Sequence, residues 1–350
     1  MQLSDLGLSF NPFKHKIVYD YTDYISYPFI LTESQITLKF LLETSFPTPV
    51  RNYYVILGER GSGKTSTLLF LQDLVKKQNN PSFLTKYDAS IKGMGSILGL
   101  RRKLLPERAT LYSETNENVK KTIEDYLRNK YYYWFIDVPD KTSRKDLDLL
   151  TTGLEILLGF RNINVIIAMN KSHYNKSFSY SEVMGKFTPV TLKPFNLEET
   201  KNLILKRLEM AGNTDIFEDD VITKVWEISR GNPRNILSAC DILLSKLLQV
   251  GKRKIDMDLA SKVLVEDYVV KILNERIENP NLRACLLKLL NIIKEMGGEV
   301  IGEKELIRHN SLGWCAMTIR KYLRILEKLG LISIQKSSHD NWTNVIRVVS

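Results

Sequence analysis

The stretch Val55–Lys77, VILGERGSGKTSTLLFLQDLVKK, leaves this chain few ways to fold. An apolar run ends at Gly58, a glycine-rich loop follows, and Lys64-Thr65 opens an amphipathic segment. Residues 58–65 satisfy G-x-x-x-x-G-K-[ST] in full, in the strand–loop–helix context that this spacing needs. Glycines let backbone approach phosphate closely, and the loop N–H groups with the helix N-terminus supply fixed partial positive charge. The expected phosphate-binding residues are therefore Gly58, Gly61, Ser62, Gly63, Lys64, Thr65 and Ser66. Lys64 is placed to reach the β- and γ-phosphates of ATP or ADP, and the Thr65 hydroxyl to ligate Mg2+.

Further apolar runs at residues 83–87, 131–137, 165–169 and 190–192 read as buried parallel strands. Helical patterns at 64–77, 117–130 and 146–160 lie between them. This alternation lasts to about residue 195 and predicts an α/β sandwich with its ligand at the carboxyl ends of the strands. The run YYYWFIDVPD puts Asp137 at such an end, where a carboxylate suits a magnesium shell. From Leu197 to about Tyr268 the pattern is wholly helical, and Asn279-Pro280 marks another boundary. Three domains are expected, over residues 1–195, 196–270 and 280–350.

The last of these reads as helix, turn, short helix, turn, helix and two strands, the order of a winged helix-turn-helix. In its third helix, residues 316–329, Ile319, Leu323 and Leu326 fall on one face. Arg320, Lys321, Arg324 and Lys328 form a basic stripe on the other. Such a stripe meets phosphates and sets Thr318 or Arg320 near base edges, with Lys336 of the wing as a further contact to double-stranded DNA. A net charge of +10 favours an anionic partner. Cys240, Cys285 and Cys315 are far apart, which argues for a reducing compartment and against a disulfide framework. No apolar run is long enough to span a membrane and the N-terminus lacks a signal-peptide pattern, so a cytoplasmic location is expected, with no membrane partner.

Two more features complete a family pattern: VIIAMNKS, which puts Asn170 just past a strand, and GNPRNIL, which opens a later helix. Their order, with the opening NPF and the segment YPFILTESQITLKFLL, resembles AAA+ ATPases of the archaeal origin-recognition, initiator-like branch. Transposition-regulator ATPases are near relatives of that branch. The resemblance implies a three-layer P-loop sandwich on a parallel sheet, an all-helical lid and a C-terminal winged helix. It gives Asn170 the role of sensor 1 and Arg234 that of the sensor 2 arginine from the lid. Two positions depart from the family. The glutamate that follows the magnesium-binding aspartate in hydrolysing relatives is Val138, leaving Asp140 as its nearest acidic substitute. The segment expected to carry a trans-acting arginine offers only Lys186, which lacks an arginine's forked donors. Both departures favour a slow switch, which controls DNA binding or self-assembly, over a fast motor. The rival expectation is an ATPase acting on a protein partner, with a winged helix that is structural.

Overall fold

The computed structural model describes residues 1–14, 29–45, 52–78, 80, 82–86, 116–127, 131–140, 142–175, 181–309, 313–336 and 344–348. The chain divides into two compact units, Lys16–Pro194 and a second formed by Met1–His15 with Phe195–Ser350.

Among the described residues of the unit Lys16–Pro194, five parallel strands form one sheet: β1 (Tyr53–Leu57), β2 (Ser82–Lys86), β3 (Tyr132–Asp137), β4 (Ile163–Met169) and β5 (Thr188–Thr191). Their spatial order is β2-β3-β4-β1-β5. Side chains alternate across each strand, so each sheet face builds its own core. Val55, Trp134, Ile136, Val165 and Ile167 pack with Leu147, Leu150, Leu154 and Leu157 of α4 (Arg144–Leu158). Tyr133, Phe135, Ile166 and Ala168 pack on the other face with Leu68, Leu71 and Val75 of α2 (Lys64–Lys77) and Leu38 and Leu42 of α1 (Glu33–Ser45). A further helix, α3, spans Asn116–Leu127. This is the three-layer α/β sandwich expected from the sequence. Register then brings functional positions to one edge: Leu57 lies beside Met169 and Thr191, and Asp137 beside Ala168. The loop after β1, the end of β3 and the residue after β4 thus converge.

The second unit begins with a departure from expectation. Residues 1–15 do not belong with the sandwich. Leu6, Leu8 and Phe13 are buried, the Ser9 amide donates to the Ala211 carbonyl at 2.8 Å, and Asn11 Nδ2 to Asp241 Oδ1 at 2.9 Å. The Phe13 ring meets Phe217 edge-on. Four helices follow: α5 (Leu197–Ala211), α6 (Asp219–Ser229), α7 (Pro233–Val250) and α8 (Met257–Arg276). Asn196 caps α5 with a reciprocal Glu199 contact, and Asn232 caps α7 ahead of Pro233.

The chain ends with α9 (Pro280–Glu295), β6 (Glu299–Ile301), α10 (Glu303–Arg308), α11 (Ala316–Lys328), β7 (Ile332–Lys336) and β8 (Asn344–Val348). The strands pair antiparallel in the order β6-β8-β7. Leu289, Leu290, Ile293, Val300, Leu306, Ile319, Leu323, Leu326, Ile332 and Ile346 are buried. This connectivity is that of a winged helix-turn-helix, with one strand, β6, more than the sequence pattern predicts. The segment joining β7 to β8, including Trp342, lies outside the described residues.

Candidate functional site

The glycine-rich loop owes its path to residues without side chains. Gly61 and Gly63 take φ of +86° and +90°, which β-carbons resist. At Gly58 a β-carbon would stand 2.3 Å from Ser62 Oγ. Gly63 caps α2, so the first amides of that helix face the loop. Lys64, 8% exposed, places Nζ 3.1 Å from the Gly58 carbonyl and 3.0 Å from that of Glu59. Thr65 Oγ1 donates to Asp137 Oδ2 at 2.7 Å. Ser66 follows on the first turn, half-buried.

Asp140 adds a second carboxylate to this cluster. Its oxygens lie 3.6 Å from Lys64 Nζ and 4.0 Å from Arg60 Nε, and accept from Asn170 Nδ2 at 3.4 Å. Asn170 Oδ1 in turn accepts the Ser172 amide at 2.9 Å, which fixes the side chain at the carboxyl end of β4. Lys64, Thr65, Asp137, Asp140 and Asn170 are therefore brought together from three separate stretches of chain. Val138 is not part of this group: it is 1% exposed and packs in the core with Leu147 and Leu150. Lys186 is exposed on a short 3-10 turn. Arg234 stands on the first turn of α7 in the other unit, where its amide donates to Asn232 Oδ1 at 3.1 Å.

Sequence reasoning missed a brace beneath the loop. Gln35 Nε2 donates to Thr67 Oγ1 at 2.7 Å, and Thr67 Oγ1 donates to the Gly63 carbonyl at 2.9 Å. Both side chains are buried, and Gln35 Oε1 accepts the Thr32 amide. The available signal was a glutamine among apolar residues of α1, because a buried amide needs partners.

The donor set fits a nucleotide with its metal. Ser62 Oγ is buried without a protein partner among the described residues, the kind of orphan that a phosphate oxygen satisfies. A hydroxyl and a carboxylate 2.7 Å apart, Thr65 and Asp137, are hard oxygen donors suited to Mg2+, which is usually held by few protein groups plus phosphates and water.

On the winged helix, Met317, Arg320, Lys321, Arg324, Ile325 and Lys328 line a shallow groove of about 410 Å³ along α11. The two faces of the helix differ as its sequence predicts, with Ile319, Leu323 and Leu326 buried. Arg320 is already engaged: its Nε lies 2.6 Å from Glu303 Oε2 of α10. The Thr318 hydroxyl sits 3.2 Å from Cys315 Sγ at the helix cap. Thr318 and Lys336 are not among the groove's lining residues, Lys336 being exposed at the end of β7.

No protein-family model matches the chain. Two curated relatives, both named ORC1-type DNA replication protein and both from Methanothermobacter thermautotrophicus, are 22% identical over 313 residues. The match covers 85% of this chain and 81% of each relative. Among solved structures, the Aeropyrum pernix ORC2 protein in ADPNP and ADP complexes aligns with a TM-score of 0.58 and 15% identity, over 97% of this chain and 93% of that one. The Aeropyrum pernix ORC1 protein in complex with DNA aligns with a TM-score of 0.52 and 13% identity, over 92% and 91%. In sequence the chain is similar to archaeal ORC1-type DNA replication proteins, and its fold is that of the archaeal ORC structures.

Proposed function

We propose that this protein binds ATP or ADP with Mg2+ at the loop 58–65 and uses the nucleotide state to control its grip on duplex DNA, in the service of DNA replication. The observation that carries the reading is the 2.7 Å contact between Thr65 and Asp137, which joins the phosphate loop to the end of β3 in a metal-ready pair. In this reading Lys64 and the loop amides hold the phosphates, while Thr65 and Asp137 hold the metal. The bound metal neutralises phosphate charge and polarises the terminal phosphoryl group. Asn170 and Asp140 act at the terminal phosphate, with Asp140 as the carboxylate available to orient water, and Arg234 keeps the nucleotide-sensing role that the family resemblance implies. Turnover is slow, because the adjacent position carries a core-facing Val138 and Lys186 replaces a forked arginine. Functionally, residues 196–270 act as lid and 280–350 as the DNA-binding part.

The relatives' names, an ORC1 structure in complex with DNA and the charge of +10 support DNA as the partner. The groove on α11 supplies the cations, with Arg320, Lys321 and Arg324 central, Lys336 at the wing and Thr318 at the helix start. The test is titration of labelled duplex with the full chain at several salt concentrations, with ATP–Mg2+, with ADP–Mg2+ and without nucleotide. Affinity that falls steeply with salt and differs between nucleotide states is expected. Absence of duplex binding in all three states would move the winged helix to a protein-binding role and give the lead to a protein-partner ATPase. Self-assembly is a second outlet for the switch, read by sedimentation under the same three conditions.

A further inference from the structure

Helix α6 ends at Ser229, and the next residue, Arg230, caps it with φ +52° and ψ +36°. Left-handed backbone suits glycine, and the caps of α5 and α7 are indeed Gly212 and Gly251. Arg230 is the only non-glycine with positive φ among the described residues. An arginine kept where glycine fits without strain directs attention to what its side chain reaches.

That side chain reaches the winged helix. Arg230 Nη2 donates to the Ile332 carbonyl at 2.8 Å. Its Cδ and Nε lie beside Gly330, each 3.7 Å from where a β-carbon there would stand. Gly330 and Ile332 flank the turn that follows α11 and opens β7. Because β7 is an edge strand of its sheet, a row of its backbone groups has no strand partner among the described residues, and a guanidinium is a suitable cover.

The other side of the same corner is fixed too. Gly231, at φ +65°, presses so closely on Phe195 that a β-carbon would stand 2.1 Å from the Phe195 carbonyl oxygen. The Phe195 amide donates to the Gly231 carbonyl at 2.8 Å, and Trp226 Nε1 to the Phe195 carbonyl at 2.9 Å. Phe195 is the residue at which the chain enters this unit. Asn232, Pro233 and Arg234 come next, and Arg276 Nη2 of α8 donates to Asn235 Oδ1 at 3.1 Å.

We infer that Arg230 is a positioning residue: it ties the corner between α6 and α7 to the turn after α11, so that the effect of nucleotide state on the DNA-binding face depends on this contact. The inference rests on the nucleotide and DNA roles proposed above. The path within this unit is short and hydrogen-bonded: Arg230 opens the corner held by Phe195, Gly231 and Trp226, and Ile332 is four residues past the end of α11.

The experiment compares the full-length wild type with Arg230→Gly and Arg230→Lys. Glycine keeps the left-handed cap and removes only the reach, whereas lysine keeps a single cationic donor. Duplex affinity is measured by fluorescence anisotropy with ATP–Mg2+ and with ADP–Mg2+, and ATP affinity by calorimetry. The wild type is expected to show an ATP-to-ADP ratio of duplex affinities of about 5-fold or more. Arg230→Gly is expected to bring that ratio to about one with ATP affinity unchanged, and Arg230→Lys to keep part of it. A role in packing alone does not move the ratio. A wild-type ratio retained in Arg230→Gly overturns the coupling while leaving the function intact. A ratio of one in the wild type overturns the switch itself, and the coupling with it. If Arg230→Gly proves unstable, Arg230→Lys decides: a full wild-type ratio there, with no loss, counts against the guanidinium contact.

Discussion

Within the phosphate site each residue's consequence follows from where its side chain ends. Lys64 is buried and its ammonium sits over the loop, so in the proposed function Lys64→Ala removes a charged phosphate contact. Contacts of that kind are worth roughly 1.5–3 kcal/mol, about 10- to 150-fold in ATP affinity by calorimetry. Equal affinities in wild type and variant would falsify the site assignment. Val138 behaves differently. Placing at this position the acid that the resembling family carries is a natural experiment from the sequence alone, with a faster rate as its goal. In the structure the Val138 side chain belongs to the core, so Val138→Glu buries a carboxylate among aliphatic groups. The expected outcome is a loss of stability of more than about 2 kcal/mol in denaturant unfolding, with no gain in turnover. The more informative variant is Asp140→Asn, which keeps the shape near Lys64 and Asn170 and removes the charge. It is expected to reduce the slow hydrolysis proposed above about 100-fold in single-turnover assays, the low end of general acid–base contributions of about 10²–10⁴. The motif positions were legible from residue types and spacing. That Val138 faces the core, and that Gln35 braces the loop through Thr67, was not, because each depends on partners distant in sequence.

Among the elements, α11 shows how one helix can be read from its pattern and still conceal its partners. Its period predicts the buried Ile319, and Ile319→Ala leaves a cavity expected to cost about 2–5 kcal/mol while sparing the basic face. The basic residues are not equivalent. Arg320 is paired with Glu303, whereas the groove around Lys321 and Arg324 opens to solvent. Removing Lys321 or Arg324 singly is therefore expected to flatten the log–log salt dependence of duplex binding by about one unit each. Arg320→Ala is expected to change it less, and Glu303→Gln to strengthen duplex binding by releasing Arg320. Identical slopes for all three basic variants would show that the Glu303 pair does not hold in solution. The pairing escaped the sequence because α10 and α11 meet only in the folded unit. The strand β6 escaped for another reason: three residues with one buried side chain, Val300, are too short to carry a period.

At the scale of the molecule, the alternation of strands and helices to residue 195 made the sandwich legible, and the wholly helical run after it made the second architecture legible. What could not be read was the allegiance of residues 1–15, whose partners Ala211, Asp241 and Phe217 lie some two hundred positions away. The second unit therefore combines residues 1–15 with residues 195–350, while the phosphate loop lies wholly in the first. In the proposed function the two ligands then stabilise mainly different units, because anything that binds only the folded form raises its stability by mass action. At one hundred times its dissociation constant, Mg2+–ATP is expected to add about 2.7 kcal/mol to the unit Lys16–Pro194. Duplex DNA is expected to act on the unit that holds α11. Scanning calorimetry should show an unfolding transition that rises with Mg2+–ATP and a separate one that rises with DNA. Lys64→Ala should abolish the first shift and spare the second. A single transition moved equally by either ligand would mean that the two units unfold as one, and stability could not then be assigned to either site.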